Sequence, residues 1–219
     1  MEMVSVSDVL SGAGWMPFET RPVGPLGVIA MPGCEALGER IDKYLRDWRE
    51  GIGEQSDDLY TFPGYNLDTF LLKAKCPRFG TGEGKGLLTQ SVRGYDIYII
   101  SDVTARQITY NMYGTPVPMS PDDHYADLKR VIAAIGGKAQ RISIIMPFLY
   151  ESRQHRRSAR ESMDCALMLQ ELAGLGVKNI ITFDAHDARV QNAVPIMGFD
   201  NVIPSYQTLK ALFRSYPDL

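Results

Sequence analysis

Residues 142–183 read ISIIMPFLYESRQHRRSARESMDCALMLQELAGLGVKNIITF, with two short apolar runs on either side of an amphipathic segment. The runs at 142–146 and 179–183 are rich in isoleucine and have the length of buried strands. Between them, Ser162–Leu172 has apolar residues at helical spacing and stops near Gly174. A strand, a helix and a second strand in this order form the repeating unit of parallel sheets.

The same alternation extends towards the N-terminus. A buried strand is predicted at Leu26–Ala30, and a helix with one apolar face follows over Cys34–Glu50. Another strand is predicted at Tyr95–Ile100. A helix then begins at Ser120–Asp123, where a capping hydroxyl precedes a proline and two acids. The pattern predicts one α/β domain of three layers, with a parallel sheet between helices on both faces.

The remaining segments are less regular. Residues 51–78 are rich in turn formers and predict an excursion with one or two strands. The segment Ile108–Val117 alternates weakly and contains glycine and proline, which indicates an exposed hairpin. A last helix is predicted over Ser205–Ser215, ended by Pro217.

Composition and charge argue against several classes of partner. The 219 residues carry a net charge of −3, so there is no basic footprint for nucleic acid. Three widely spaced cysteines form neither a zinc pattern nor a disulfide framework, which favours a reducing compartment. The start MEMVSVSDVL has no cationic segment followed by an apolar stretch, and no apolar run approaches the roughly 20 residues of a membrane span. We therefore expect a soluble, cytoplasmic protein with neither nucleic acid nor a membrane as partner.

Polar residues follow two of the predicted strands, at the sheet edge where α/β proteins bind ligands. Asp184 and His186 could bind a divalent cation or form an acid–base pair. Alternatively, Asp184 caps the next turn and His186 is a loop histidine. The loop after residue 146 holds several guanidinium groups, which suit phosphate oxygens or simply face solvent. These arginines are Arg153, Arg156, Arg157 and Arg160.

Two other motifs look like functional sites, but neither is interpreted as one. Gly80–Gly86 has only three residues before Gly-Lys, whereas a Walker loop needs four and then serine or threonine. A flexible loop or strand entry carrying Glu83 is predicted instead. Asp122, Asp123, His124 and Asp127 could suggest a metal site, but helix capping explains the acids, so we assign this cluster to structure.

Four segments match, in order and at similar spacing, the motifs of one known family. Phe79–Glu83 is similar to a Phe-Ser-x-Gly-Glu loop, and Ser91–Gly94 is similar to the start of Ser-Val-Arg-Gly-x-Asp. Pro147–Gln154 is similar to Pro-x-x-x-Tyr-x-Arg-Gln, and Ile180–His186 to Ile-Thr-x-Asp-x-His. Together they resemble the N-terminal half of ribose-phosphate diphosphokinases, the phosphoribosyl pyrophosphate synthetase family.

The resemblance implies transfer of the β,γ-diphosphoryl group of ATP to the 1-hydroxyl of ribose 5-phosphate, with Mg²⁺ as cofactor. It also implies the fold of type I phosphoribosyltransferases and assembly into homo-oligomers. By this resemblance His186 and Arg153 are catalytic, and His186 and Asp184 lie at the metal. The implied nucleotide-binding residues are Phe79, Thr81, Glu83, Arg153, Gln154 and His155. In the family, the loop that corresponds to Phe79–Glu83 contacts adenosine across a subunit boundary.

The chain also departs from the family pattern. Thr81 replaces an aspartate or asparagine, His155 replaces an aspartate, and residues 51–75 and 104–118 look like insertions. Residues 1–22 are interpreted as an N-terminal extension, and 23–219 as the phosphoribosyltransferase-like domain.

The acidic Asp-Asp-x-x-Asp-Thr-x-Gly-Thr loop of the family's second catalytic domain does not occur in these residues. We therefore expect an N-terminal half that is inactive alone. The alternatives are a non-catalytic homologue that regulates active synthetase subunits and a generic nucleotide- or flavin-binding α/β domain.

Overall fold

A computed structural model describes residues 22–53 and 62–216. Three sequence predictions lie outside these residues. They are the N-terminal extension up to residue 21, the central part of the 51–75 insertion, and the helix stop at Pro217. The domain boundaries and the interpretation of residues 51–75 and 104–118 as insertions stay predictions.

Strands and helices alternate through the described chain. In order they are β1 (Leu26–Ala30), α1 (Glu35–Gly53), β2 (Ala74–Lys75), β3 (Leu87–Leu88), β4 (Asp96–Ile100), β5 (Thr109–Met112), β6 (Thr115–Pro118), α2 (Pro121–Ile135), β7 (Arg141–Met146), α3 (Asp164–Gly174), β8 (Asn179–Phe183), a 3₁₀ helix (Ala188–Ala193), β9 (Gly198–Val202) and α4 (Ser205–Ser215).

Five parallel strands form the central sheet in the order β1-β4-β7-β8-β9. Beside β1, Val28 N donates to Phe70 O at 2.8 Å and Leu72 N donates to Val28 O at 2.7 Å. Leu71 therefore forms a parallel bridge along the edge of β1 that faces away from β4. The chain thus contacts one side of β1 at Leu71 before it returns on the other side as β4.

Helices cover both faces of this sheet, as the alternation of elements predicts. On one face, Val28 and Ile100 pack with residues of α1, including Leu37 and Ile41. On the other face, the apolar side chains of α2 and α3 pack against the sheet. Successive strand residues point to opposite faces, so the isoleucine-rich strands serve both layers.

The predicted start of α2 is confirmed. Asp123 N donates to Ser120 Oγ at 3.1 Å, and Ser120 N donates to the Asp123 carboxylate at 2.9 Å, which completes a capping box. The helix ends at Gly136, which has a φ of +60°. Helix α3 begins at Asp164, two residues later than predicted, and β9 was not predicted because Gly198–Val202 is polar and half exposed.

Two small antiparallel pairs lie outside the main sheet. The pair β5–β6 is the hairpin predicted over residues 108–117, and β2–β3 brackets the turn Phe79–Glu83. This glycine-rich region passes close to α2. A Cβ atom on Gly86 would lie 2.2 Å from Arg130 O, so only glycine fits there without moving the backbone.

Within the described residues, no helix is both long and apolar enough to cross a membrane. Cys34, Cys76 and Cys165 are free thiols, in agreement with the prediction that they form no disulfide framework.

Candidate functional site

A cavity of about 410 Å³ opens at the carboxyl ends of β4, β7 and β8. The loop after β7 contributes Ser152 and Arg153 to its lining, and the loop after β8 contributes Asp184 and His186. Thr104, from the loop after β4, closes another side. The structure therefore brings the predicted Arg153, Asp184 and His186 together at the edge where a parallel sheet gathers its loops.

Tyr150 holds the loop after β7 in place. Its ring stacks on Tyr125 with centroids 4.7 Å apart, and its hydroxyl donates to Asp122 Oδ1 at 2.6 Å. Burial and the hydrogen bond to Asp122 raise the pKa of Tyr150 above its usual range, so the phenol remains a proton donor. The assignment of Asp122 to structure is consistent with this contact, since it anchors the loop that carries Arg153.

Strand β9 holds the loop after β8. Asp184 N donates to Val202 O at 3.0 Å, and Ala185 N donates to Asn201 Oδ1 at 2.9 Å. Asp184 has a φ of +49°, a left-handed conformation that aspartate and asparagine tolerate better than most residues. The cap of the following 3₁₀ helix is Asp187, whose carboxylate accepts from Arg189 N at 2.9 Å. The alternative in which Asp184 caps this turn is therefore wrong.

His155 packs beside His186, with ring centroids 5.3 Å apart. His155 Nδ1 lies 3.3 Å from Asp187 Oδ2, and Arg189 binds the same carboxylate through its side chain. Hydrogen bonds from Arg189, with a smaller contribution from His155, lower the pKa of Asp187 below its usual range. Asp187 is therefore an ionised carboxylate that binds Arg189 of its own loop and contacts His155 of the loop after β7, whereas His186 is exposed to the cavity.

The other predicted nucleotide residues lie elsewhere. Gln154 Nε2 donates to Ser162 O at 2.8 Å and so closes the loop on itself. Phe79, Thr81 and Glu83 occupy the turn between β2 and β3 and do not line the cavity. Within that turn, Thr81 Oγ1 donates to Glu83 Oε2 at 2.9 Å. The nucleotide-binding roles of these four residues stay predictions, as do the roles of Arg153, His155 and His186.

Thr104 was missed by the sequence analysis. It lies four residues after the predicted strand at Tyr95–Ile100. Asp184 and His186 were chosen because they follow the end of a strand, and the same criterion applies to Thr104. The sequence does not single it out, because residues 104–118 look like an insertion into the family pattern.

The side chains at the cavity can be compared with the ligands that the implied magnesium ion prefers. No group of three or more His, Cys, Asp or Glu side chains within residues 22–53 and 62–216 could hold a metal ion. Mg²⁺ is commonly held by one or two carboxylates together with substrate phosphates and water. The exposed Asp184 carboxylate fits that arrangement, whereas the His186 imidazole is a poorer ligand for this ion. Metal binding by Asp184 and His186 stays a prediction.

The five-stranded parallel sheet, its helices on both faces and the loops at its carboxyl edge define an α/β domain of the type I phosphoribosyltransferase kind. Residues 26–176 match the family described as the N-terminal domain of ribose phosphate pyrophosphokinase. The chain belongs to this family, as the four sequence motifs predicted.

Relatives and a solved structure agree with this assignment. The chain is 27% identical to the ribose-phosphate pyrophosphokinase of Buchnera aphidicola, over 78% of this chain and 50% of the relative. It is 29% identical to that of Oceanobacillus iheyensis, over 63% of this chain and 38% of the relative. The phosphoribosylpyrophosphate synthetase of Mycobacterium smegmatis has a similar fold, with a TM-score of 0.62 at 19% identity, over 88% of this chain and 53% of that one. The chain thus spans half or less of these curated relatives.

Proposed function

We propose that this chain supplies the ATP-binding half of a ribose-phosphate pyrophosphokinase, which transfers the diphosphoryl group of ATP to ribose 5-phosphate. The observation that carries the proposal is the convergence of Arg153, Asp184 and His186 on one cavity in a chain of this family. This combination offers a guanidinium, a carboxylate and an imidazole to a triphosphate.

The chemistry of the cavity suits phosphoryl-type transfer, which needs positioning and neutralisation of charge more than a covalent nucleophile. Arg153 would bind phosphate oxygens through its planar guanidinium. His186 would donate a hydrogen bond to the diphosphate, and Asp184 would supply one oxygen ligand for magnesium. The ion, when bound, neutralises charge on the phosphates.

In this proposal, the turn Phe79–Glu83 contacts the nucleotide that is bound in the cavity of a second copy of the chain. The family resemblance assigns the turn to the adenosine of ATP, yet its side chains do not line the cavity of the same chain. Phe79 is 54% exposed and would present its ring to the base bound by a neighbouring subunit. We therefore propose a homo-oligomer in which each nucleotide contacts two subunits.

Titration calorimetry with MgATP tests the phosphate site. Arg153→Ala is expected to weaken binding by about 10- to 100-fold, because a charge-assisted hydrogen bond to phosphate is worth about 1.5–3 kcal/mol. Arg157→Ala is the matched control, since Arg157 is an exposed arginine of the same loop that does not line the cavity. Equal affinities for the two variants would contradict the assigned role of Arg153.

A regulatory, non-catalytic role is the second candidate. Two observations favour it: Thr81 engages the Glu83 carboxylate within the turn, and His155 packs against His186. Both contacts involve residues that depart from the family pattern. In this case the chain should co-sediment with an active synthetase in analytical ultracentrifugation and change its rate. Absence of both effects would remove the regulatory candidate.

A further inference from the structure

The β5–β6 hairpin lies directly against the turn Phe79–Glu83. Tyr113 N, at the tip of the hairpin, donates to Gly80 O at 2.8 Å. A Cβ atom on Gly82 would lie 3.0 Å from Met112 Sδ, so the glycine lets the hairpin approach this closely. The family resemblance accounts for the turn but not for the hairpin, which belongs to the segment interpreted as an insertion.

Arg78 joins the hairpin and the turn into one unit. Its side chain is 8% exposed, and its guanidinium carbon lies 4.6 Å from the centre of the Tyr110 ring in β5. The same guanidinium donates to Gly82 O at 3.4 Å and to Asp127 Oδ2 at 2.9 Å. The tip of the hairpin is therefore held in a defined position against the turn that carries Phe79.

Tyr113 is an unusual residue for this tip. It has a φ of +50° and is followed by Gly114 with a φ of +83°. A two-residue hairpin loop with positive φ at both positions favours asparagine, aspartate or glycine at the first, and a tyrosine there is strained. The residue is nevertheless 78% exposed, so packing within the described residues does not account for the ring.

We infer that Tyr113 is a second aromatic contact for the purine base of the nucleotide, beside Phe79. The inference rests on the proposed function, which assigns the turn to the base. Two exposed aromatic residues, Phe79 at 54% in the turn and Tyr113 at 78% in the hairpin, lie on the two sides of one hydrogen-bonded junction. Exposed aromatic side chains are suited to this contact, because every base has a π-face on which an aromatic ring can stack.

The test uses Tyr113→Asn in the full 219-residue chain. Asparagine suits the left-handed backbone, so the variant should melt no lower than the wild type. Its dissociation constants for ATP and for adenosine are expected to rise about fivefold or more, because a stacking contact is lost. Binding of tripolyphosphate, which has no base, should not change. Tyr113→Phe keeps the ring and should retain most of the affinity. Tyr44→Ala, which alters an exposed tyrosine of α1, is the matched control.

The outcomes separate this inference from the proposed function. Unchanged adenosine affinity in Tyr113→Asn, with ATP affinity still dependent on Arg153, overturns the base contact alone. An equal loss of tripolyphosphate binding also overturns it, because the effect would then come from distortion of the site. Binding of ATP that depends on Tyr113 but not on Arg153 overturns the phosphate site and supports the base contact. No binding of ATP by the wild type overturns both.

Discussion

Replacing Asp127 by alanine is expected to lower the free energy of unfolding by about 3–5 kcal/mol, the usual cost of removing one partner of a buried ion pair. The Asp127 side chain is only 4% exposed, and it accepts from Arg78 at 2.9 Å and from Arg130 at 2.6 Å. Arg78 is itself nearly buried. Alanine at position 127 would therefore leave a guanidinium charge away from water without a carboxylate.

The loss should come mainly from the arginine that is left without a carboxylate, and the direction of the Asp127 pKa agrees with this. Burial raises this pKa, although both guanidinium groups oppose the rise. Desolvation therefore offsets much of the attraction in the intact cluster. It follows that Asp127→Leu combined with Arg78→Met should cost much less than Asp127→Ala alone.

Urea unfolding followed by circular dichroism measures these differences. Lys129→Ala in the same helix is the control, because Lys129 and its partner Glu171 are both partly exposed, at 33% and 46%. That pair should contribute about 0.2–1 kcal/mol. A loss below 1 kcal/mol for Asp127→Ala would show that the cluster is not the buried network described above.

The second large effect is expected when two defective variants are mixed. Arg153→Ala removes a phosphate contact from the cavity, and Phe79→Ala removes the aromatic ring from the turn. Each variant alone should bind MgATP weakly. If the cavity of one subunit is completed by the turn of another, a mixed dimer contains one site with both intact parts. An equal mixture should therefore regain about a quarter of the wild-type sites, given random exchange between closed dimers.

Calorimetric stoichiometry after subunit exchange measures this recovery. Mixing Arg153→Ala with His186→Ala is the matched control, because both residues line the same cavity and no mixed dimer restores it. Recovery in neither mixture would mean that the turn and the cavity do not share a nucleotide between subunits. Recovery in both would mean that exchange itself, and not complementation, changes binding.

The local elements were predictable because each depends on residues that are near one another in the chain. The isoleucine runs at β7 and β8 and the cap at Ser120 appear in the structure where the sequence placed them. Predictions failed where the local pattern was weak. The exposed, polar β9 is a strand because its backbone pairs with β8, which composition does not reveal.

The candidate site was predictable only in part. Parallel strands bring their carboxyl ends together at one edge of the sheet. The predicted strand ends therefore placed Arg153, Asp184 and His186 at that edge, where the structure has them. They did not predict that His155 packs on His186, since that contact joins loops more than thirty residues apart. The strand ends also did not predict that Arg153 lines the cavity while its neighbour Gln154 binds the backbone of its own loop.

Periodicity and short motifs were sufficient to predict the α/β class, the family and the chemical types of the candidate residues. Which of those residues meet follows from the arrangement of strands and loops in the folded chain. This arrangement brings Thr104 to the cavity, keeps the Phe79–Glu83 turn out of its lining, and places the β5–β6 hairpin against that turn. The physical reason is that such contacts depend on strand order, backbone pairing and buried charge, which join residues distant in the chain.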